Sequence, residues 1–209
     1  AKNPDIRQWA DRFGSVYDRY RLLNNGESIY KSKTCAVYYA EDILVKRAIT
    51  DYVDDKSNES TLEELKSLLR VCIKVLPDKE NFISEQNARK DQEFEEKHVV
   101  TVFSEYTPGI GNGIVNVGRA KGIYATVFGD KVKEDDRATF SSDKKDTWAI
   151  IMPAGDKSLG RALADDNIAG NGEEELKTIA QQLAKSLQHI HAEKLIHCDI
   201  KPRNIVRFG

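Results

Sequence analysis

The sequence lacks an excess of either charge: 32 lysines and arginines stand against 34 aspartates and glutamates, a formal net charge of −2. A nucleic-acid surface leaves a basic stripe, and no run of lysines and arginines here stands clear of acids, so that class of partner is not expected. Cysteine is scarce. The three, Cys35, Cys72 and Cys198, are odd in number and widely spaced, which argues against a disulfide framework and for a reducing, cytoplasmic setting. No apolar run approaches the roughly 20 residues that cross a bilayer. The first residues lack the basic-then-apolar order of a secretory signal, and no membrane contact is expected within this segment. Internal repeats and low-complexity tracts are absent as well. What is present, 40% apolar and 32% charged residues over 209 positions, is the balance of a globular chain with a buried core.

Ile6, Trp9 and Phe13 recur at helical spacing behind Asn3 and Pro4, a cap and a first-turn proline, which predicts a short leading helix. Tyr20–Leu23 and Thr34–Ala40 are rich in strand formers and flank the turn signal Asn24-Asn25-Gly26. Residues 41–58 show no clean period. Ser60 and Glu63 make a capping-box pair ahead of Leu62, Leu65, Leu68 and Leu69, an amphipathic helix. Val71–Leu76 is a near-continuous apolar strand containing one ammonium, Lys74, and closed by Pro77-Asp78. A helix is predicted over residues 79–94 and a strand over 99–103. Residues 108–146 mix glycines and charges over more length than a compact domain spends on a connection, and read as an insertion. Within it, Gly109-Ile110-Gly111-Asn112-Gly113 opens no helix of the kind a phosphate cradle needs and reads as a flexible loop. Trp148–Met152 is again strand-like. Leu176, Ile179, Leu183, Leu187 and Ile190 recur at three- and four-residue steps, which predicts an amphipathic helix over Glu173–Ala192.

Directly after that helix comes His197-Cys198-Asp199-Ile200-Lys201-Pro202-Arg203-Asn204. It sets an acid, an ammonium two residues on and an amide five residues on within one short stretch. A simple turn, with Asp as cap and Asn closing the bend, is the competing reading. The stretch resembles the catalytic loop of eukaryotic-type protein kinases, whose pattern is His-Arg-Asp with Lys at +2 and Asn at +5. That resemblance implies catalytic roles for Asp199 and Lys201 and a metal-binding role for Asn204, with ATP and Mg2+ as cofactors and a protein as substrate. Val71-Cys72-Ile73-Lys74 is similar to the family's Val-Ala-Ile-Lys strand, which places Lys74 on the α- and β-phosphates. Glu85 is then the carboxylate that holds Lys74, with Glu93 or Glu95 as longer-range alternatives. Val37 takes the place of the family's strand-two valine. Ala149–Leu159 is similar to the hinge, with Met152 as gatekeeper. Proline has no N–H, so the adenine edge would meet the carbonyl of Pro153 and the amide of Ala154 or Gly155.

The family's three loop glycines fall on Tyr30, Ser32 and Cys35, which puts ordinary phosphate coverage in question unless Ser32 and Thr34 hydroxyls close the loop. Cys198 replaces the arginine before the catalytic Asp, which argues against control by a phosphate on the activation loop. Its thiol reads as buried and inert in preference to redox-active. His189, His191 and His197 beside it do not share the geometry of a zinc site. The expected fold is α+β and kinase-like: a helical flank over 1–19, an antiparallel-sheet N-lobe over 20–152 with insertions at 41–69 and 108–146, and a hinge with the start of a helical C-lobe over 153–209. The expected function is serine/threonine phosphorylation, from Lys201. A nucleotide-poor pseudokinase or scaffold is the alternative, and a small-molecule phosphotransferase is disfavoured by Lys201-Pro202. The chain is expected to stop short of the Asp-Phe-Gly segment, to be inactive by itself, and to leave the apolar face of helix 173–192 uncovered.

Overall fold

The computed structural model describes residues 19–54, 59–89, 94–95, 97–107, 110–115, 148–166 and 172–208. They form two compact units, one of residues up to Ala88 with Thr101–Ala154, the other of Arg89–Val100 with the residues from Gly155 onward. The helix expected over 4–13, most of the 108–146 insertion and Glu93 lie outside the described residues.

In the first unit, seven described strands build one antiparallel sheet. They are β1 (Tyr20–Leu22), β2 (Tyr30–Lys31), β3 (Ala36–Asp42), β4 (Arg70–Leu76), β5 (Ser104–Thr107), β6 (Ile110–Val115) and β7 (Trp148–Pro153). Their order is β1-β3-β4-β7-β5-β6, with β2 paired to β3. The centre of the sheet is β4, and its side chains alternate between two environments as strand geometry requires. Val71, Ile73 and Val75 are fully buried on one face, in a core with Tyr38, Tyr106 and Ile151. Cys72 and Lys74 lie on the other face, half-buried. The stretch that reads as continuously apolar is therefore two-faced, and its ammonium sits on the side with access to solvent.

Between β3 and β4 the chain forms two helices, α1 (Ile43–Asp54) and α2 (Glu59–Leu69). Val45 and Ala48 of α1 bury against Leu65 and Leu68 of α2. The first helix has no expected counterpart, because Ile43, Val45, Ile49 and Thr50 are β-branched and blur the helical signal. Its start is fixed from a distance. Asp42 Oδ1 accepts from the N–H groups of Leu44 (3.0 Å) and Val45 (3.3 Å), an N-cap, while Arg19 holds Oδ2 at 2.8–2.9 Å. The second helix begins one residue before Ser60, so Ser60 sits inside the first turn and not at the cap.

Further differences from expectation follow from long-range pairing. α3 (Lys79–Asn87) ends earlier than residue 94. Residues 101–103 are not a strand, although the Phe103 N–H donates to the Ile151 carbonyl at 2.8 Å. The glycine-rich run read as a loop is instead β6 over Ile110–Val115, paired antiparallel with β5. Glycines carry no side-chain alternation to announce a strand, and the partner's hydrogen bonds define it.

The second unit contains β8 (Lys157–Ser158), α4 (Leu159–Asp165), α5 (Glu173–Ala192) and β9 (Val206–Arg207). Ser158 caps α4 by accepting from the Arg161 N–H, and β8 pairs with β9. Gly155 is enclosed here, since a Cβ on it would clash with Val206 Cγ1. At the end of α5, Lys194 adopts φ 60. The Leu195 N–H reaches the Ile190 carbonyl and the Lys194 N–H the His191 carbonyl, which is a Schellman motif with lysine in the usual glycine place. α5 buries none of its 20 residues. Among the described residues, Ile179, Leu183, Leu187 and Ile190, which share one face of α5, line an open groove of about 1360 Å³.

Arg19 and Asp42 are 7% and 1% exposed. Asp42→Ala is expected to cost about 2–4 kcal/mol, because it removes the carboxylate of a buried ion pair as well as a helix cap; urea denaturation of the variant against the parent chain measures it.

Candidate functional site

Lys74 is placed by register. On β4 its Cα neighbours are Val37 of β3 and Ile150 of β7, and its side chain keeps 21% exposure. Nζ forms an ion pair with Glu85 Oε1. Glu85 arrives there because α3 is fixed at both faces. Asp78 caps its start, accepting from the Asn81 N–H at 2.9 Å. Phe82, one turn before Glu85, is 1% exposed and rests on Trp148 with ring centroids 4.9 Å apart. Residues three apart share a helix face, so burying Phe82 aims Glu85 toward the sheet. Gln86 adds a bond to Glu105 at 2.6 Å. Of the alternatives, Glu95 pairs with Lys97 and Glu93 lies outside the described residues.

Met152, opposite Cys72, packs on the cluster of Cys35, Leu76, Phe82 and Ile150. The next expectation needs correcting. The Ala154 N–H donates to the Arg70 carbonyl at 3.0 Å, extending the sheet past Pro153, so that amide is already engaged. Of the two amides considered for the adenine edge, Gly155 is left.

The loop that replaces the glycines is organised by one hydroxyl. Ser32 Oγ accepts from the N–H groups of Thr34 (3.2 Å) and Cys35 (3.1 Å), and it lies 3.1 Å from Thr34 Oγ1. The Ser32 N–H in turn donates to the Cys35 carbonyl at 2.8 Å. This is the hydroxyl closure that the residue types allow, and it turns the Thr34 and Cys35 amides inward.

In the second unit, Asp199, Lys201 and Asn204 meet. Lys201 Nζ bonds both carboxylate oxygens of Asp199. Asn204 Nδ2 donates to the Asp199 carbonyl and to Oδ2, each at 2.9 Å. A 3-10 turn over Pro202–Asn204 brings them together. Proline opens it with φ already set, and the Asn204 N–H closes on the Lys201 carbonyl at 2.9 Å. His197, a motif residue with no role read from sequence, accepts the Asp199 N–H on Nδ1 at 3.3 Å. Hydrogen bonding from Lys201 holds the Asp199 carboxyl below its ordinary range, with Asn204 adding in the same direction. With Nδ2 turned to Asp199, the Asn204 carboxamide oxygen is the end of the side chain that can accept. Hard divalent cations take such oxygens, so a magnesium ion suits this donor.

The cysteines divide. Burial pushes the Cys72 thiol up to about 12, and Cys35 is buried. Cys198 corrects the sequence reading: it is exposed, turned outward by a left-handed backbone (φ 59), with its thiol donating to the Ile196 carbonyl at 3.4 Å. Among the described residues, no three His, Cys, Asp or Glu side chains form a metal-binding cluster, and no helix is long and apolar enough to cross a membrane.

Comparison with known proteins finds similarity over part of the chain. Residues 137–207 match the family described as protein kinase domain. Over 40 residues, 19% of this chain, the sequence is 45% identical to two Dictyostelium discoideum proteins, the probable serine/threonine-protein kinases ifkB and ifkA. The match spans 3% of the first protein and 2% of the second. The α+β fold, an antiparallel sheet with helices and then the start of a helical unit, agrees with that family.

A lowered carboxyl keeps the Asp199–Lys201 pair intact above the usual Asp value of about 3.9 and loses it as pH falls through the lowered value. A carboxyl-carbon NMR titration should show Asp199 below the ordinary midpoint, and Lys201→Ala should raise it. Limited alkylation of the native chain at pH 8 should modify Cys198 well before Cys35 and Cys72, as peptide mapping would reveal.

Proposed function

From a chain whose residues 137–207 carry a protein kinase domain signature, we propose that the full protein transfers the terminal phosphate of ATP to serine or threonine hydroxyls of other proteins, in the cytoplasm. The observation that carries this reading is the joining of acid, ammonium and amide at Asp199, Lys201 and Asn204, supported by the Lys74–Glu85 pair. Preference for serine and threonine rests on Lys201, and the names of the two Dictyostelium relatives point the same way.

In this reading Asp199 receives or orients the substrate hydroxyl. Its carboxylate is kept ionised by Lys201 and Asn204, so it can accept a hydrogen bond at neutral pH. Lys201 is positioned to balance charge on the phosphoryl group, and His197 fixes the backbone from which Asp199 projects. Lys74, steadied by Glu85, holds the α- and β-phosphates. Val37 and Met152 border the base, and the Pro153 carbonyl with the Gly155 amide meets its edge. Asn204 would hold magnesium, which when bound neutralises the charge of the phosphates. The 209 residues contain no Asp-Phe-Gly triplet. On its own this chain is expected to transfer no phosphate.

One observation favours a second reading, a kinase-like scaffold with weak nucleotide binding. Glycine loops present backbone amides to phosphate, whereas here the Thr34 and Cys35 amides are taken up by Ser32 Oγ.

Calorimetric titration of the full protein with ATP, with and without magnesium, separates the two. The kinase reading expects saturable binding that Lys74→Met weakens. It also expects Asp199→Asn to keep binding while phosphate incorporation into a generic protein substrate falls roughly 10²–10⁴-fold. Absence of nucleotide binding in the full protein supports the scaffold.

A further inference from the structure

Away from the residues assigned to phosphoryl transfer, the second unit holds two imidazoles in contact. The rings of His98 and His189 lie 5.0 Å apart, inclined by 35°. His189 belongs to the last turn of α5. The Glu95 backbone N–H donates to His189 Nε2 at 3.1 Å. That bond requires a lone pair on Nε2 and so places the proton of the neutral ring on Nδ1. Ser186, one turn earlier on α5, lies 3.1 Å from His98 Nδ1, and Phe94 meets His189 at 6.1 Å in an edge contact. Glu95 and His98 are thus fastened to α5 chiefly by an imidazole acting as acceptor. An imidazolium has no lone pair to offer.

We propose that this arrangement is a pH-sensitive clasp, closed while His189 is neutral and released when it is protonated. Protonation replaces the acceptor with a second donor facing the Glu95 amide. If His98 charges as well, two cations stand 5.0 Å apart. The other charged groups facing the ring do not cancel this. From the fastened segment come the Glu95 carboxylate, 4.0 Å from His189 Nδ1, and the Lys97 ammonium, 2.5 Å from that carboxylate. Hydrogen bonding and charge from Lys97 hold Glu95 below the ordinary carboxylate range, so it stays ionised throughout and its charge is largely answered by Lys97. Lys185 on α5 and Glu193 just past its end lie one turn away, and His191 shares the last turn. The helix end favours a cation, which leaves the charged ring well placed once the Glu95 amide has gone. The clasp is therefore present while the His189 ring offers a lone pair to the Glu95 N–H and lost when acid protonates that nitrogen. It stands independently of the proposed kinase activity.

Hydrogen exchange on the 209-residue chain tests this, with rates corrected for the intrinsic pH dependence. Protection of the Glu95 amide is expected to fall roughly tenfold between pH 7.5 and pH 5. In His189→Gln, whose side-chain carbonyl can accept the same bond without titrating, protection should stay flat. An equal fall in the variant, or no fall in the parent chain, overturns the proposal. A second reading needs no variant: imidazole nitrogen NMR at pH 7.5 should find His189 protonated on Nδ1, and a ring protonated on Nε2 overturns the proposal equally.

Discussion

A strand can give each of its faces to a different task only if its register is fixed, and β4 is held from both sides. Six residue pairs join it to β3 and six to β7. Odd-numbered residues are thereby committed to the aliphatic core, which leaves Lys74 on the opposite face beside Val37 and Ile150. A slip of one residue would bury the ammonium among Tyr38, Tyr106 and Ile151 of the neighbouring strands. Glu85 depends on this same constraint, since Phe82 anchors α3 on the face that Lys74 shares.

The second unit works by turns where the first works by register. From Lys194 to Ile205 the chain is guided by a Schellman closure, the Cys198 backbone in the left-handed region and a proline-led 3-10 turn. Those local devices, with the His197 acceptor, bring three side chains from a span of six residues into one network. Nothing in that network needs a partner far away in sequence, which is why a short motif can carry so much of it.

That difference explains what was legible beforehand. The Asp199-Lys201-Asn204 motif, α5 to the residue, and the cores of β4 and β7 all announce themselves through local spacing. What stayed hidden depends on distant partners. α1 is started by Asp42, whose other oxygen is held by Arg19, 23 positions earlier. β6 is glycine-rich and takes its identity from β5. The Ala154 amide is taken by the Arg70 carbonyl, a partner far away in sequence. Cys198 reads as buried from sequence, yet it is exposed, and it is flanked by the apolar Ile196 and Ile200. Both of those are themselves exposed, at 78% and 48%.

Gly155 ties the sequence to this architecture in a way that composition alone would not show. The space a methyl group would need there is filled by Val206, and the carbonyl of Arg207 closes the other side at 3.0 Å. Genetic variation at this codon is consequently constrained by shape before any question of chemistry arises. Chains bearing alanine at 155 should be found, if at all, with a smaller residue at 206, so that the two positions change together.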